Sequence, residues 1–167
     1  MSLRMPMASK ALAFSCLALL LACGGGGDGG GGGDGGCGSE WNTQVLLRFD
    51  GPPGCPPAGF EEVVCARLWG GAGVDWFVLE VDVPSPGCAE ETVLHFRGSV
   101  SSGGAMEADD QIERRACLVD ALAPGANGLR LETVKGEALA NSFTLAGDWD
   151  VLPALCSGTF SIEGANP

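Results

Sequence analysis

The sequence holds a single histidine, no tyrosine and only 9 lysines and arginines in 167 residues, and these shortages close off whole classes of function. With 21 acidic side chains against those 9, the net charge of −12 has the wrong sign to neutralise a phosphate backbone or an anionic lipid surface. Nucleic acid is excluded as a partner. One histidine cannot supply an H-E-x-x-H helix, and the 8 cysteines contain no C-x-x-C pair, so a structural zinc site has little support. A G-x-S-x-G elbow is also missing, which removes the commonest sign of nucleophilic hydrolysis. No cofactor or metal is implied, and no residue reads as catalytic.

Long hydrophobic runs are lacking too. Residues 11–22 are apolar apart from Ser15, but 12 residues fall short of the about 20 that a spanning helix needs. Preceded by Arg4 and Lys10, the run has the layout of an export signal. It ends in Leu20-Leu21-Ala22-Cys23, which resembles the lipobox of bacterial lipoproteins over the first 24 residues. The resemblance implies that residues 1–22 are removed and that Cys23 becomes an acylated first residue holding the chain to a membrane. Two or more acyl chains make such anchoring stable where one is marginal. Gly24 stands where many lipoproteins kept at the inner membrane carry Asp, so the resemblance implies the outer membrane.

Residues 24–38 contain 12 of the 28 glycines, interrupted only by Asp28, Asp34 and Cys37. A segment without apolar side chains cannot offset its own ordering entropy and reads as a flexible tether, about 20 Å end to end as a Gly-rich coil. Its glycines and aspartates lack the apolar alternation and repetition of a calcium-binding β-roll, so Asp28 and Asp34 read as solvating charges. Removing Arg4 and Lys10 with the signal leaves 7 basic and 21 acidic residues, a net −14.

Residues 39–167 then form one domain of ordinary size. Its main signal is alternation at period two. Val45, Leu47 and Phe49 alternate with polar residues, as do Phe77, Leu79, Val81 and Val83; Leu94 and Phe96; Leu129 and Leu131; Phe143, Leu145, Trp149 and Val151; and Phe160 and Ile162. Phe60–Trp69 carries apolar residues on both faces, which suggests a central strand. About seven short strands between Gly and Pro turns predict an all-β domain, an antiparallel sandwich or barrel. Met106–Ala123 predicts one helix, with Ile112, Ala116, Val119 and Leu122 at helical spacing and Glu107, Asp109 and Asp110 at its start, although Gln111–Val119 also fits a strand.

Six cysteines remain once Cys16 leaves with the signal and Cys23 takes lipid: Cys37, Cys55, Cys65, Cys88, Cys117 and Cys156. In an exported chain this even number predicts three disulfides. If the first four strands run up and down, the loops holding Cys55 and Cys88 emerge at one end, which predicts their pairing. Cys156 shares the parity of Phe160 and Ile162, so it is paired across the core with Cys65, leaving Cys37 for Cys117.

Candidate binding groups are few. His95 points outward beside Arg97; Asp75, Asp82, Asp148 and Asp150 lie near strand ends, where paired carboxylates could do acid–base work. Trp41, Trp69, Trp76 and Trp149 could stack on a sugar, but Trp149 has core parity, while Trp76 is opposite in parity to Phe77 and should be exposed. The favoured reading is a non-enzymatic cell-envelope lipoprotein whose β-domain binds or scaffolds a protein or glycan. The alternatives are a carbohydrate-binding or acid-dependent glycosidase domain and a calcium-stabilised adhesion module.

Overall fold

The computed structural model describes residues 36–85, 87–88, 92–153 and 156–166. The expected signal peptide, Cys23, and residues 24–35 of the tether lie outside the described residues. The strands are β1 (Thr43–Asp50), β2 (Glu61–Gly70), β3 (Trp76–Asp82), β4 (Val93–Val100), β5 (Ala105–Ala108), β6 (Gln111–Glu113), β7 (Gly128–Ala138), β8 (Ser142–Leu152) and β9 (Ser157–Ala165), with one helix, α1 (Ala116–Leu122). Among the described residues no helix is long and apolar enough to cross a membrane.

All pairings are antiparallel. β1 to β5 form a meander, β7 to β9 form a second, β9 pairs with β1, and β5 pairs with β7. The result is a closed eight-stranded barrel, with β6 as an additional strand beside the first part of β7. Closure, made by the β5–β7 pairing, suits the alternation, because each strand has one apolar face and a cylinder buries all of those faces at once. Val45, Leu47 and Phe49 of β1, Phe77, Leu79 and Val81 of β3 and Phe143, Leu145 and Trp149 of β8 are all buried. An eight-stranded interior is just wide enough to be filled by side chains, and here rings fill much of it. Phe49, Phe96 and Phe160 form a continuous stack with centroids 5.8 and 5.9 Å apart.

Trp149 is wedged at one end of this stack. Its Nε1 donates to the carbonyl oxygens of Asp50 (3.0 Å) and Thr159 (3.1 Å), so the one polar atom of the largest core residue is satisfied. The ring fits because residue 158 is glycine: a Cβ there would lie 2.7 Å from the ring and 2.0 Å from the Asp50 carbonyl oxygen.

The second strand is flanked by β1 and β3, as a central strand should be, but it buries only one of its two apolar faces. In a closed barrel each strand keeps one face towards solvent, and β2 buries Val64, Ala66 and Leu68 while Val63 is 66% exposed. The predicted helix over Met106–Ala123 is also shorter. Met106 and Ala108 point inward from β5, Ile112 is 53% exposed on β6, and only Ala116–Leu122 is helical. Of the acids expected at the helix start, Glu107 lies within β5, and Asp109 and Asp110 separate β5 from β6. The Asp110 carboxylate accepts the amide of Thr133, at the bulge where β7 shifts register between Glu132 and Lys135, and Asp109 pairs with Arg97 at 3.3 Å.

The six cysteines form three disulfides, Cys37–Cys65, Cys55–Cys156 and Cys88–Cys117, none of them a pairing expected from the sequence. The up-and-down order of β1 to β4 is present, and the loops of Cys55 and Cys88 do share an end. Closure changes the neighbours, however. β9 lies beside β1, so the β8–β9 loop reaches Cys55, while Cys117 on α1 reaches the β3–β4 loop that holds Cys88. Cys65 lies on the outer face, opposite in parity to Val64 and Ala66, where Cys37 meets it.

Candidate functional site

The two ends of the barrel differ in kind. At one end α1 buries Leu118, Val119 and Leu122. Arg115, at its start, donates to the Glu113 carboxylate (2.8 Å) and to the Val93 carbonyl, tying the helix to β6 and β4. Disulfides Cys55–Cys156 and Cys88–Cys117 complete this capped end.

The opposite end is formed by the β2–β3, β4–β5 and β7–β8 hairpins, and a cleft of about 600 Å³ opens between their tips, lined in part by Val74, Asp75, Ser101, Gly103 and Leu139. The hairpins are stitched by backbone bonds, including Ala138 N–H to Gly104 O at 2.7 Å. Among the described residues, four of the six exposed large apolar side chains gather at or near this end: Trp69 (37%), Val74 (43%), Trp76 (48%) and Leu139 (50%).

The tryptophans are held rather than loose. On the outer face of β2 the Arg67 guanidinium carbon sits 5.2 Å from the Trp41 ring centroid and 5.0 Å from that of Trp69, two cation–π contacts that brace both rings. Glu80 lies 4.0 Å from Arg67 and 3.3 Å from His95 Nδ1, so the lone histidine belongs to the fringe of this cluster. Asn42 pairs both ways with Leu68 at 2.9 and 3.0 Å, extending the β1–β2 ladder towards Trp41. Trp76 packs on Gly70, whose φ is +77°. A Cβ there would lie 2.3 Å from the Trp76 carbonyl oxygen and 3.0 Å from its ring, so glycine is what lets this ring lie against the wall.

Strand register then sets a row around the outside of the barrel. Trp76 faces Ser99, Ser99 faces Glu107, and Glu107 faces Lys135. All four are exposed, and Glu107 and Lys135 lie 4.0 Å apart. Beside the row lies a shallow groove of about 420 Å³, which meets the end cleft at Val100 and Ser101. On the far wall Arg48 hydrogen-bonds Glu61 at 3.1 Å, which raises the guanidinium pKa above its ordinary value.

Of the expected binding residues, Trp149 is core and Trp76 exposed, as parity indicates. The four aspartates do not converge. Asp75 and Asp82 flank opposite ends of β3, and β8, which carries Asp148 and Asp150, lies diametrically across the eight-stranded ring from β3. Among the described residues no three His, Cys, Asp or Glu side chains are grouped to hold a metal ion. The Arg67 brace and the Ser99–Glu107–Lys135 row are absent from the sequence reading. Arg67 shares the parity of Trp69, which was a usable signal, but the row depends on the register of four strands. No family model, curated protein or solved structure matches the chain.

Proposed function

We propose that the chain is a non-enzymatic lipoprotein of the bacterial cell envelope, anchored through lipid on Cys23 in the outer membrane and presenting its β-barrel as a binding module. The observation that carries the reading is Leu20-Leu21-Ala22-Cys23 at the end of a short apolar run behind Arg4 and Lys10. The engagement of all six other cysteines of the exported portion in disulfides supports an oxidising compartment. The filled barrel interior favours recognition on the wall and at the open end rather than in a lumen.

Metabolic labelling with palmitate tests the anchor. The full chain should take up label and fractionate with outer membranes, and Cys23→Ala should lose both. Labelling or membrane retention that survives the substitution contradicts the proposal.

A further inference from the structure

The geometry points to a ligand class for the exposed wall: we propose that the Trp76–Ser99–Glu107–Lys135 row, with Trp69 diagonal to Trp76, binds an extended, neutral oligosaccharide. The inference rests on the reading of the barrel as an extracytoplasmic binding module. A pyranose ring presents a flat array of C–H groups with hydroxyls at its rim, and it is recognised by an aromatic face beside hydrogen-bonding groups that follow the hydroxyls. The row offers both. The Trp76 ring is held against Gly70 and stays about half exposed. Next in register come a hydroxyl, a carboxylate and an ammonium, one per strand. Strands lie about 4.8 Å apart, so the row spans about 14 Å with polar groups at intervals close to the length of one sugar residue.

Charge narrows the class. The chain carries 21 acidic and 9 basic residues, which repels a polyanion, whereas Glu107 and Lys135 offset each other within the row. A neutral ligand meets no net field there. A peptide added as an extra strand is disfavoured at the row, because Ser99, Glu107 and Lys135 each have a paired strand on both sides. Pre-fixed rings also lower the ordering cost of binding, since Arg67 braces Trp69 and Gly70 seats Trp76.

The test is calorimetric titration of the full-length, detergent-solubilised chain with fully N-acetylated chitotetraose and cellotetraose, both neutral and extended, and with maltotetraose, which curves. At least one extended oligosaccharide should bind better than the curved one, and Trp76→Ala should weaken it by about tenfold or more. Glu107→Gln should weaken it less, and Arg48→Ala, on the far wall, should leave it unchanged. Circular dichroism of each variant checks that the barrel is intact. Absence of binding to all three sugars overturns the proposal, as does binding that Trp76→Ala leaves intact. Quenching of tryptophan emission by brominated phosphatidylcholine vesicles, lost in Trp76→Ala and unaccompanied by sugar binding, assigns the face to a lipid surface instead. Loss of palmitate labelling leaves these titrations untouched, and failed titrations leave the labelling untouched, so the two readings fall separately.

Discussion

The two ends of the barrel differ in their connections, long loops and α1 at one and short hairpins at the other, and they carry opposite investments. The capped end is tied by two disulfides, a helix and the Arg115–Glu113 pair, and it seats Trp149 with both of its carbonyl acceptors. At the open end the tips are joined by backbone bonds and by the Asn166 side-chain amide, which donates to the Leu139 carbonyl at 3.2 Å, and Val74, Trp76 and Leu139 are exposed. Stability is concentrated where little is exposed, and the exposed rings stand where little stability is at stake. Loops free of covalent ties can vary in sequence without unfolding the scaffold, which is the usual division between a rigid frame and a binding surface.

Substitutions at the two ends should therefore have very different effects on stability. The largest loss is expected from Cys55→Ser with Cys156→Ser, which opens a loop of 101 residues and should lower unfolding free energy by about 4–5 kcal/mol in the chain-entropy account. Opening the 28-residue Cys37–Cys65 loop on the outer wall should cost about 3–4 kcal/mol, so denaturant titration should rank the two in that order. Trp149→Ala leaves a large void against Gly51 and Gly158 and should cost about 3–5 kcal/mol by the same measurement. Arg115→Ala leaves the buried Glu113 carboxylate without its partner. A loss of about 1–3 kcal/mol is expected there, reduced because Arg115 itself is about one-third exposed. At the open end, Trp76→Ala, which gives up the half of its ring packed on Gly70, should cost about 1–2 kcal/mol, and Leu139→Ser no more than about 0.5 kcal/mol. A loss of several kcal/mol from either would show that the open end is part of the frame.

The sequence made the buried faces of β1, β3, β4, β7, β8 and β9 legible, left those of β2, β5 and β6 unread, and left the closure of the barrel obscure. Val45, Leu47, Phe49, Phe77, Leu79, Phe143 and Trp149 all point inward as alternation requires, because a half-buried strand has no other way to hide its apolar residues. Closure depends on β5 pairing with β7 over Ala105–Glu107, a contact too short and too distant in sequence to leave a pattern. The disulfides follow from closure, so a sound meander led to unsound pairings. Met106–Ala123 misled because Ile112, Ala116, Val119 and Leu122 fit a helical period while Asp110 lies between two strands, its carboxylate accepting the Thr133 amide, a tertiary contact 23 residues away. The candidate site was legible in part. Trp76 has outward parity, but the Ser99–Glu107–Lys135 row beside it exists only once four strands are in register.

The division between a stapled frame and a binding wall is tested most directly by amide hydrogen exchange of the full chain with and without a saturating amount of whichever extended tetrasaccharide, N-acetylated chitotetraose or cellotetraose, binds more tightly. Added protection should be confined to the β3–β4–β5 segments around Trp76, Ser99 and Glu107 and to β7 near Lys135, with α1 and the Cys55–Cys156 loops unchanged. Protection appearing at the capped end, or none at the Trp76 row, would contradict the account.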